Sequence, residues 1–274
     1  MLKKQLIMEK ALELFAKQGF EATSVQQITD YCGISKGAFY LSFKSKDELI
    51  LALIDYFLSE FISNTDYSVR NTDDDEVLYQ FYYNTFDSFQ KHSNFAKVLM
   101  KEQSHSLNKE LFLKMRYYDS LLENIILSMI DRLYGCEIED TRYDLMFCIK
   151  GFMNTFSQFF LFSHLPYDLT RLSQSLVEKT NLLAKQTTIP FISKDMITIV
   201  KQSVDETTKE NVMELLEQKV EELDNALVKE SLILLKQQLN EPVFPQAIVA
   251  GLLKNIQEHP HCKWVAYLLR QRLG

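Results

Sequence analysis

Two lysines sit where a helix dipole favours a carboxylate. Ser35-Lys36 and Ser45-Lys46 each place a cation directly behind a serine suited to cap a helix N-terminus, where positive charge costs about a few tenths of a kcal/mol. A cation kept at such a place points to chemistry outside the helix, and an ammonium group binds anionic oxygen such as phosphate. Tyr40 lies one turn past Lys36 and shares its face, adding a phenolic hydroxyl. Thr23 and Ser24 add two more hydroxyls at the start of a preceding helix, as caps and as donors to phosphate. Between them Cys32-Gly33-Ile34 forms a turn in which glycine can take positive φ without steric cost. Residues 24 to 43 therefore read as a helix-turn-helix, whose second helix enters a major groove with its N-terminal residues nearest the bases.

The base-edge candidates are Ser35, Lys36, Ala38, Leu41 and Ser42. Lys36 has the reach for guanine, and Ala38 and Leu41 suit a thymine methyl. Gly37 lacks a side chain inside a short helix, at a cost of about 1 kcal/mol against alanine; close approach of DNA or of the first helix would account for it. The first 47 residues hold no arginine, so bidentate arginine–guanine readout is absent there.

With its flanks this stretch resembles the DNA-binding domain of the TetR/AcrR family of bacterial transcriptional regulators. The matching residues are an amphipathic first helix ending in Gly19-Phe20, Thr23-Ser24-Val25, Ile28, Gly33-Ile34, the run Ser35 to Tyr40, then Phe43, Lys46 and Leu49. The likeness covers about residues 1 to 50. It implies a homodimeric, ligand-responsive repressor on a pseudo-palindromic operator, with half-sites about 34 Å or a multiple apart. It also implies that the Tyr40 hydroxyl holds a backbone phosphate, that helix four carries the ligand signal, and that two later helices pair with their mates in a four-helix bundle.

Composition agrees with an all-α protein. Only 7 Gly and 5 Pro interrupt 274 residues that are 46% hydrophobic. The net charge is −7, yet the first 47 residues hold seven lysines against five carboxylates, while the remainder holds 23 basic and 32 acidic residues. A mildly positive end on an acidic body suits local docking on phosphate. Four cysteines without a CxxC pair fit a reducing compartment, and no signal peptide or apolar span of about 18 residues is visible, so the expected location is cytoplasmic. His259-Pro260-His261-Cys262 lacks a fourth ligand for a metal, and no nucleophile motif appears. Neither cofactor nor metal is expected, and the chain does not read as an enzyme.

The expected organisation is a three-helix helix-turn-helix domain over residues 1 to 47, an effector-binding and dimerisation domain over 48 to 190, and a C-terminal helical extension over 191 to 274. The extension departs from the usual family pattern and either enlarges the body or caps it. Helices are expected over Lys3–Gln18, from Thr23 or Ser24, over Lys36–Phe43 and from Ser45 to about Phe61. A polar break follows from Ser63 to Asp75. Later helices span about Glu76–His92, Phe95–Leu99, Lys109–Tyr134, Thr141–Ser163 and Asp168–Lys185, with a loop around Pro190. The extension holds helical segments at Asp195–Ser203, Lys209–Leu239 (long enough to be broken), Pro245–Gln257 and His261–Leu273.

Residues 79 to 162 hold 18 of the 33 aromatic residues. Tyr82, Phe86, Phe89, Tyr117, Tyr118, Phe152, Phe156 and Phe159 are the candidates for an aromatic effector cavity, with a solid aromatic core as the alternative. Asp87, Asp119 or Glu123 would be the counter-charge for a cationic ligand. A stripe of Leu145, Ile149, Phe152, Phe156 and Phe159 and another of Leu169, Leu172, Leu176 and Leu183 are the dimer-helix candidates. The expected ligand is a hydrophobic or aromatic molecule, in the first instance a drug whose efflux is controlled, in the second an acyl chain or acyl-coenzyme A. A helical adaptor without DNA contacts is the competing class; Lys36, Tyr40 and Lys46 argue against it.

Overall fold

The computed structural model describes residues 2–103, 109–162, 167–201 and 209–273. Among these, the regular elements are helical: α1 (Leu2–Gln18), α2 (Val25–Cys32), α3 (Lys36–Tyr40), α4 (Lys46–Asn71), α5 (Val77–Lys91), α6 (Ser93–Gln103), α7 (Lys109–Tyr134), α8 (Arg142–Phe162) and α9 (Leu169–Gln186), followed by α10 (Lys194–Lys201), α11 (Lys209–Glu222), α12 (Ala226–Asn240), α13 (Gln246–Gln257) and α14 (Lys263–Leu273), with short 3-10 turns at Gly135–Ile138 and Pro260–Cys262. The helix ends expected at Ser163 and Ser203 lie outside the described residues. No described helix is long and apolar enough to cross a membrane.

Two hydrophobic clusters organise the chain. The smaller joins Ile7, Phe15, Ile28, Phe39 and Phe43 to Leu49 and Leu53 of α4, and to Phe95, Val98 and Leu111 of α6 and α7. The larger joins Ile62 and Val69 of α4 to α5, α7, α8 and α9, and continues without a break into Leu216, Leu232, Val249 and Leu269 of the extension. The extension therefore enlarges the body. The boundary expected at residue 47 falls at the start of α4, and that helix feeds both clusters.

The polar break expected from Ser63 is instead the second half of α4, which runs on to Asn71. The polar residues are satisfied within the helix or by the extension. Ser63 and Thr65 donate to the carbonyls of Glu60 and Phe61 at 3.1 and 2.8 Å. Asp66 is buried and accepts from Arg70 Nε at 2.8 Å and from Arg270 Nη1 of α14 at 2.7 Å. Alongside, Lys263 donates to Asn64 at 2.9 Å and lies over the Tyr67 ring. The helix stops where Arg132 of α7 donates to the carbonyls of Val69 and Thr72.

Two other expectations shift. Helix three ends at Tyr40, three residues short of Phe43, in a turn closed by Ser42 N–H on the Phe39 carbonyl. The long segment from Lys209 is broken at Leu223–Asn225, where Asn225 caps α12 by accepting from Val228 N–H at 3.1 Å.

The two dimer-helix stripes are largely used inside the chain. Leu145, Ile149 and Leu176 are fully or nearly buried in the larger cluster, and Phe152, Phe156, Leu169, Leu172 and Leu183 pack against it. Phe159 remains half exposed, and Phe147 and Leu182 face outward from the same two helices.

Losing one partner of a buried ion pair strands the other charge at a cost of about 3–5 kcal/mol. Because Arg70 stays on Asp66, Arg270→Met should destabilise at the low end, by about 3 kcal/mol, read as a lower urea midpoint at unchanged slope. A midpoint equal to the native protein's would mean that the α4–α14 pair contributes nothing.

Candidate nucleic-acid interface and ligand cavity

The N-terminal unit is fixed by its caps. Ser24 and Gln27 form a reciprocal capping box: Gln27 N–H donates to Ser24 Oγ at 3.2 Å and Ser24 N–H donates to Gln27 Oε1 at 2.8 Å. Gly33 ends α2 at φ 66°, and Ile34 N–H reaches back to the Thr29 carbonyl at 3.0 Å. Ser35 then caps α3 by accepting from Ala38 N–H at 3.2 Å. A latch outside the core joins α1 to α2: Tyr31 donates to Glu13 at 2.6 Å, and Lys10 pairs with Glu13 at 2.8 Å. The hydrogen bond from Lys10, then that from Tyr31, holds the Glu13 carboxyl below the usual carboxylate range.

This frame sorts the candidate contacts by where they point. Ser24, Ser35, Lys36, Gly37, Tyr40 and Leu41 are exposed, Leu41 at 91%, and Ala38 and Ser42 are half-buried beside them. Phe39, between them in sequence, is fully buried. A β-carbon on Gly37 would meet nothing nearer than Ser35 Oγ at 3.8 Å. Packing against α1 therefore does not account for this glycine.

Two candidates turn inward. Thr23 is 0% exposed; its hydroxyl donates to the Gly19 carbonyl at 2.7 Å and accepts from Gln18 Nε2 at 3.1 Å. A buried hydroxyl with both roles filled does not reach a phosphate, so the expectation for Thr23 is corrected: it secures the α1–α2 loop, and Ser24 alone is the cap. Lys46 Nζ donates to the Phe20 carbonyl at 2.7 Å and sits 4.2 Å from the Phe20 ring centroid. The puzzle of a cation in the first turn of α4 thus has an internal answer. Lys46 ties α4 to the α1–α2 loop.

An apolar cavity lies among α4, α5, α6, α7 and α8. It has a volume of about 220 Å³, and Phe57, Leu58, Phe61 and Ile62 of α4 form one wall. Phe89, Phe95, Met115, Leu122 and Met153 supply most of the rest, with Ser88, His92, Tyr118 and Asp119 as the polar members. Of the eight aromatic candidates, Phe89 and Tyr118 line this space. Tyr82 and Phe86 are corrected to core: both are 0% exposed, and Tyr82 Oη is 2.7 Å from the Thr180 hydroxyl of α9. Tyr117, Phe152 and Phe156 pack against the larger cluster, and Phe159 is half exposed. The α4 wall lies N-terminal to the aromatic-rich stretch of residues 79 to 162, and its signal in the sequence is Phe57 and Phe61, one turn apart on an apolar helix.

Tyr118 is held by burial, and then by the adjacent Asp55 carboxylate, well above the usual phenol range. It stays a neutral donor, 3.1 Å from Asp55 Oδ1, while Lys114 pairs with the same carboxylate. The carboxylates expected to receive a cationic ligand are already paired: Asp119 and Glu123 with Lys150 at 2.7 and 2.6 Å, Asp87 with Lys91 at 2.6 Å. Cys262 is fully buried and its thiol is pushed up to about 11 by that burial; no described group of three or more metal-ligating side chains exists around it or elsewhere.

Residues 7–53 match the family model of bacterial regulatory proteins, tetR family. The chain thus carries a tetR-family DNA-binding domain in its N-terminal unit. It is a helix-turn-helix transcription regulator. Over 276 aligned residues it is 29% identical to the HTH-type transcriptional regulator YerO of Bacillus subtilis, covering 93% of this chain and 89% of that one. YuxN, from the same organism, is 24% identical with 98% of each chain covered, so the extension is shared with these relatives. Among solved structures, FadR of Bacillus subtilis in complex with stearoyl-CoA superposes at a TM-score of 0.57 and 22% identity, covering 67% of this chain and 99% of FadR. That likeness shows the TetR fold and leaves the last third of this chain beyond it.

Each neutralised phosphate contributes a slope of about −0.9 in log affinity against log salt. Lys36→Ala should therefore flatten the salt slope for DNA by about 0.9 per subunit, measured by fluorescence anisotropy. Gly37→Ala should raise stability by up to about 1 kcal/mol while weakening operator binding; a stabilised variant with native affinity would show that nothing approaches this position from outside.

Proposed function

We propose that the chain is a ligand-responsive repressor that acts as a homodimer on a pseudo-palindromic operator and is released by an apolar, acyl-type molecule. The observation that carries this reading is α4. Its first turn is tied to the helix-turn-helix by Lys46, and its Phe57–Ile62 segment is a wall of the cavity. In this reading Ser24, Ser35, Lys36 and Tyr40 hold phosphate, Gly37, Ala38, Leu41 and Ser42 face base edges, and Thr23 and Lys46 position them. Residues 1 to 47 dock, 48 to 190 receive the ligand and dimerise, and the extension braces α4. Phe147, Phe159 and Leu182, outward on α8 and α9, are the apolar residues left for a second copy. Operator DNA places the protein in the cytoplasm.

Two observations favour an acyl-type ligand over a drug. The cavity of about 220 Å³ is smaller than the roughly 300–1,000 Å³ usual for drug-sized ligands, which suits a slim chain better than fused rings. The FadR neighbour was solved with stearoyl-CoA. No unpaired carboxylate among the described lining residues calls for a cationic drug.

The test is anisotropy on the DNA flanking the protein's own gene, over a salt series, beside unrelated DNA and the double variant Lys36→Ala/Tyr40→Ala. Expected are tight, salt-sensitive binding to the flanking DNA, its loss in the variant, and release by stearoyl-CoA or stearate with none by tetraphenylphosphonium, an aromatic cation that does not intercalate. No binding to either DNA at low salt by folded protein would shift the reading to the adaptor class, and binding unchanged in the variant would overturn the assigned contacts. Release by tetraphenylphosphonium alone would restore the drug reading.

A further inference from the structure

The end of α5 and the residue that follows it carry three side chains with no hydrogen-bond partner among the described residues. Thr85, Ser88 and His92 stand three and four residues apart, so they follow one another along the helix. Thr85 is 1% exposed and its hydroxyl has no hydrogen bond. Ser88 and His92 line the cavity. The His92 ring packs edge-on against Phe57 at 5.1 Å, and neither it nor the Ser88 hydroxyl is satisfied by a described group. Buried hydroxyls on a helix ordinarily bond back to a carbonyl one turn earlier, as Thr65 and Ser173 do here. Ser88 does not. An apolar cavity lined on one side by unused donors fits a ligand that is apolar along its length and an acceptor at one end.

We propose that Ser88 and His92 are the head-group site of this cavity and that they take the acyl oxygen of an amphiphile, a carboxylate or a thioester carbonyl, with its chain lying among Phe57, Phe61, Phe89 and Met153. The proposal rests on the ligand-binding reading above and names the polar end of that ligand. Both side chains can donate, and a carboxylate offers about four lone-pair sites to receive them. The acidic lining residue, Asp119, is held by Lys150 at 2.7 Å and does not draw on these donors. A site that hydrogen-bonds its ligand discriminates strongly against an analogue that cannot accept, because its own polar groups are then left unpaired.

Trp264, the single tryptophan of the chain, lies 5.8 Å from the ring of Tyr118, a lining residue, so its emission reports on the cavity. The intact protein would be titrated with decanoate, decanoyl-coenzyme A and decylamine, which share a chain and differ in the head. Expected is binding of decanoate or its thioester at least roughly tenfold tighter than decylamine, with that preference removed in Ser88→Ala/His92→Phe. His92→Gln, which keeps a donor, should retain part of the preference, and a thermal melt of each variant identifies any that fails to fold. Preference for the free acid or for the thioester tells which source supplies the oxygen, and either supports the site. Equal binding of all three heads, or native decanoate binding by the double variant, overturns the head-group site while leaving the cavity reading standing. Binding of none overturns both.

Discussion

An aspartate inside a helix is the constraint on which this architecture depends. The stretch from Ser63 to Arg70 is too polar to read as helix, and α4 crosses it because Asp66 is taken out of water with two arginines on its carboxylate. Burying a lone carboxylate would cost several kcal/mol; pairing it makes the second half of α4 a packed element. At 1.5 Å per residue, the 26 residues of α4 form a rod of about 39 Å. One end is tied to the Phe20 carbonyl through Lys46, the middle walls the cavity, and the far end is held by Arg270 and Lys263 of α14. A rod held at one end only would absorb a push by tilting freely. Held at both, it has few positions, which a two-state response requires.

The N-terminal unit shows how like residue types are divided by burial. Thr23 and Ser24 are neighbours with the same chemistry, yet one hydroxyl is enclosed by Gly19 and Gln18 and the other caps an exposed helix start. Lys36 and Lys46 occupy equivalent places behind capping serines, yet Lys36 is exposed and Lys46 folds onto Phe20. In each pair the inward member secures the α1–α2 loop and the outward member is left exposed. The mild positive charge of this end is thereby spent in two ways, and only part of it faces outward.

Local signals were legible in the sequence, and long-range ones were not. The capping serines and the Gly33 turn follow from neighbours within four residues, and these appear where expected. The failures share one cause. The polar run from Ser63 reads as a break until Arg270, more than two hundred positions after Asp66, is placed on that carboxylate. Tyr82 and Phe86 read as cavity residues until Thr180 of α9 closes on Tyr82, whose ring stacks with that of Phe86. Lys46 reads as a phosphate ligand until the Phe20 carbonyl closes on it. Phe57 and Phe61 were passed over because an apolar position on a helix does not say whether protein or a void lies opposite.

The short route from cavity to DNA follows from two phenylalanines. Phe57 of α4 and Phe95 of α6 stack with centroids 4.4 Å apart, and both line the cavity. Phe95 is also a buried member of the N-terminal cluster that contains Phe15, Phe39 and Phe43. A molecule that parts this stack therefore presses directly on the core from which α3 is hung. No chain of intermediates is needed. What is needed is that the molecule bind better to the arrangement with the stack displaced, since equal affinity for both would shift nothing. A cavity of about 220 Å³ is too small for a bulky guest as it stands, so such a guest would favour a conformer in which α4 and α6 stood further apart.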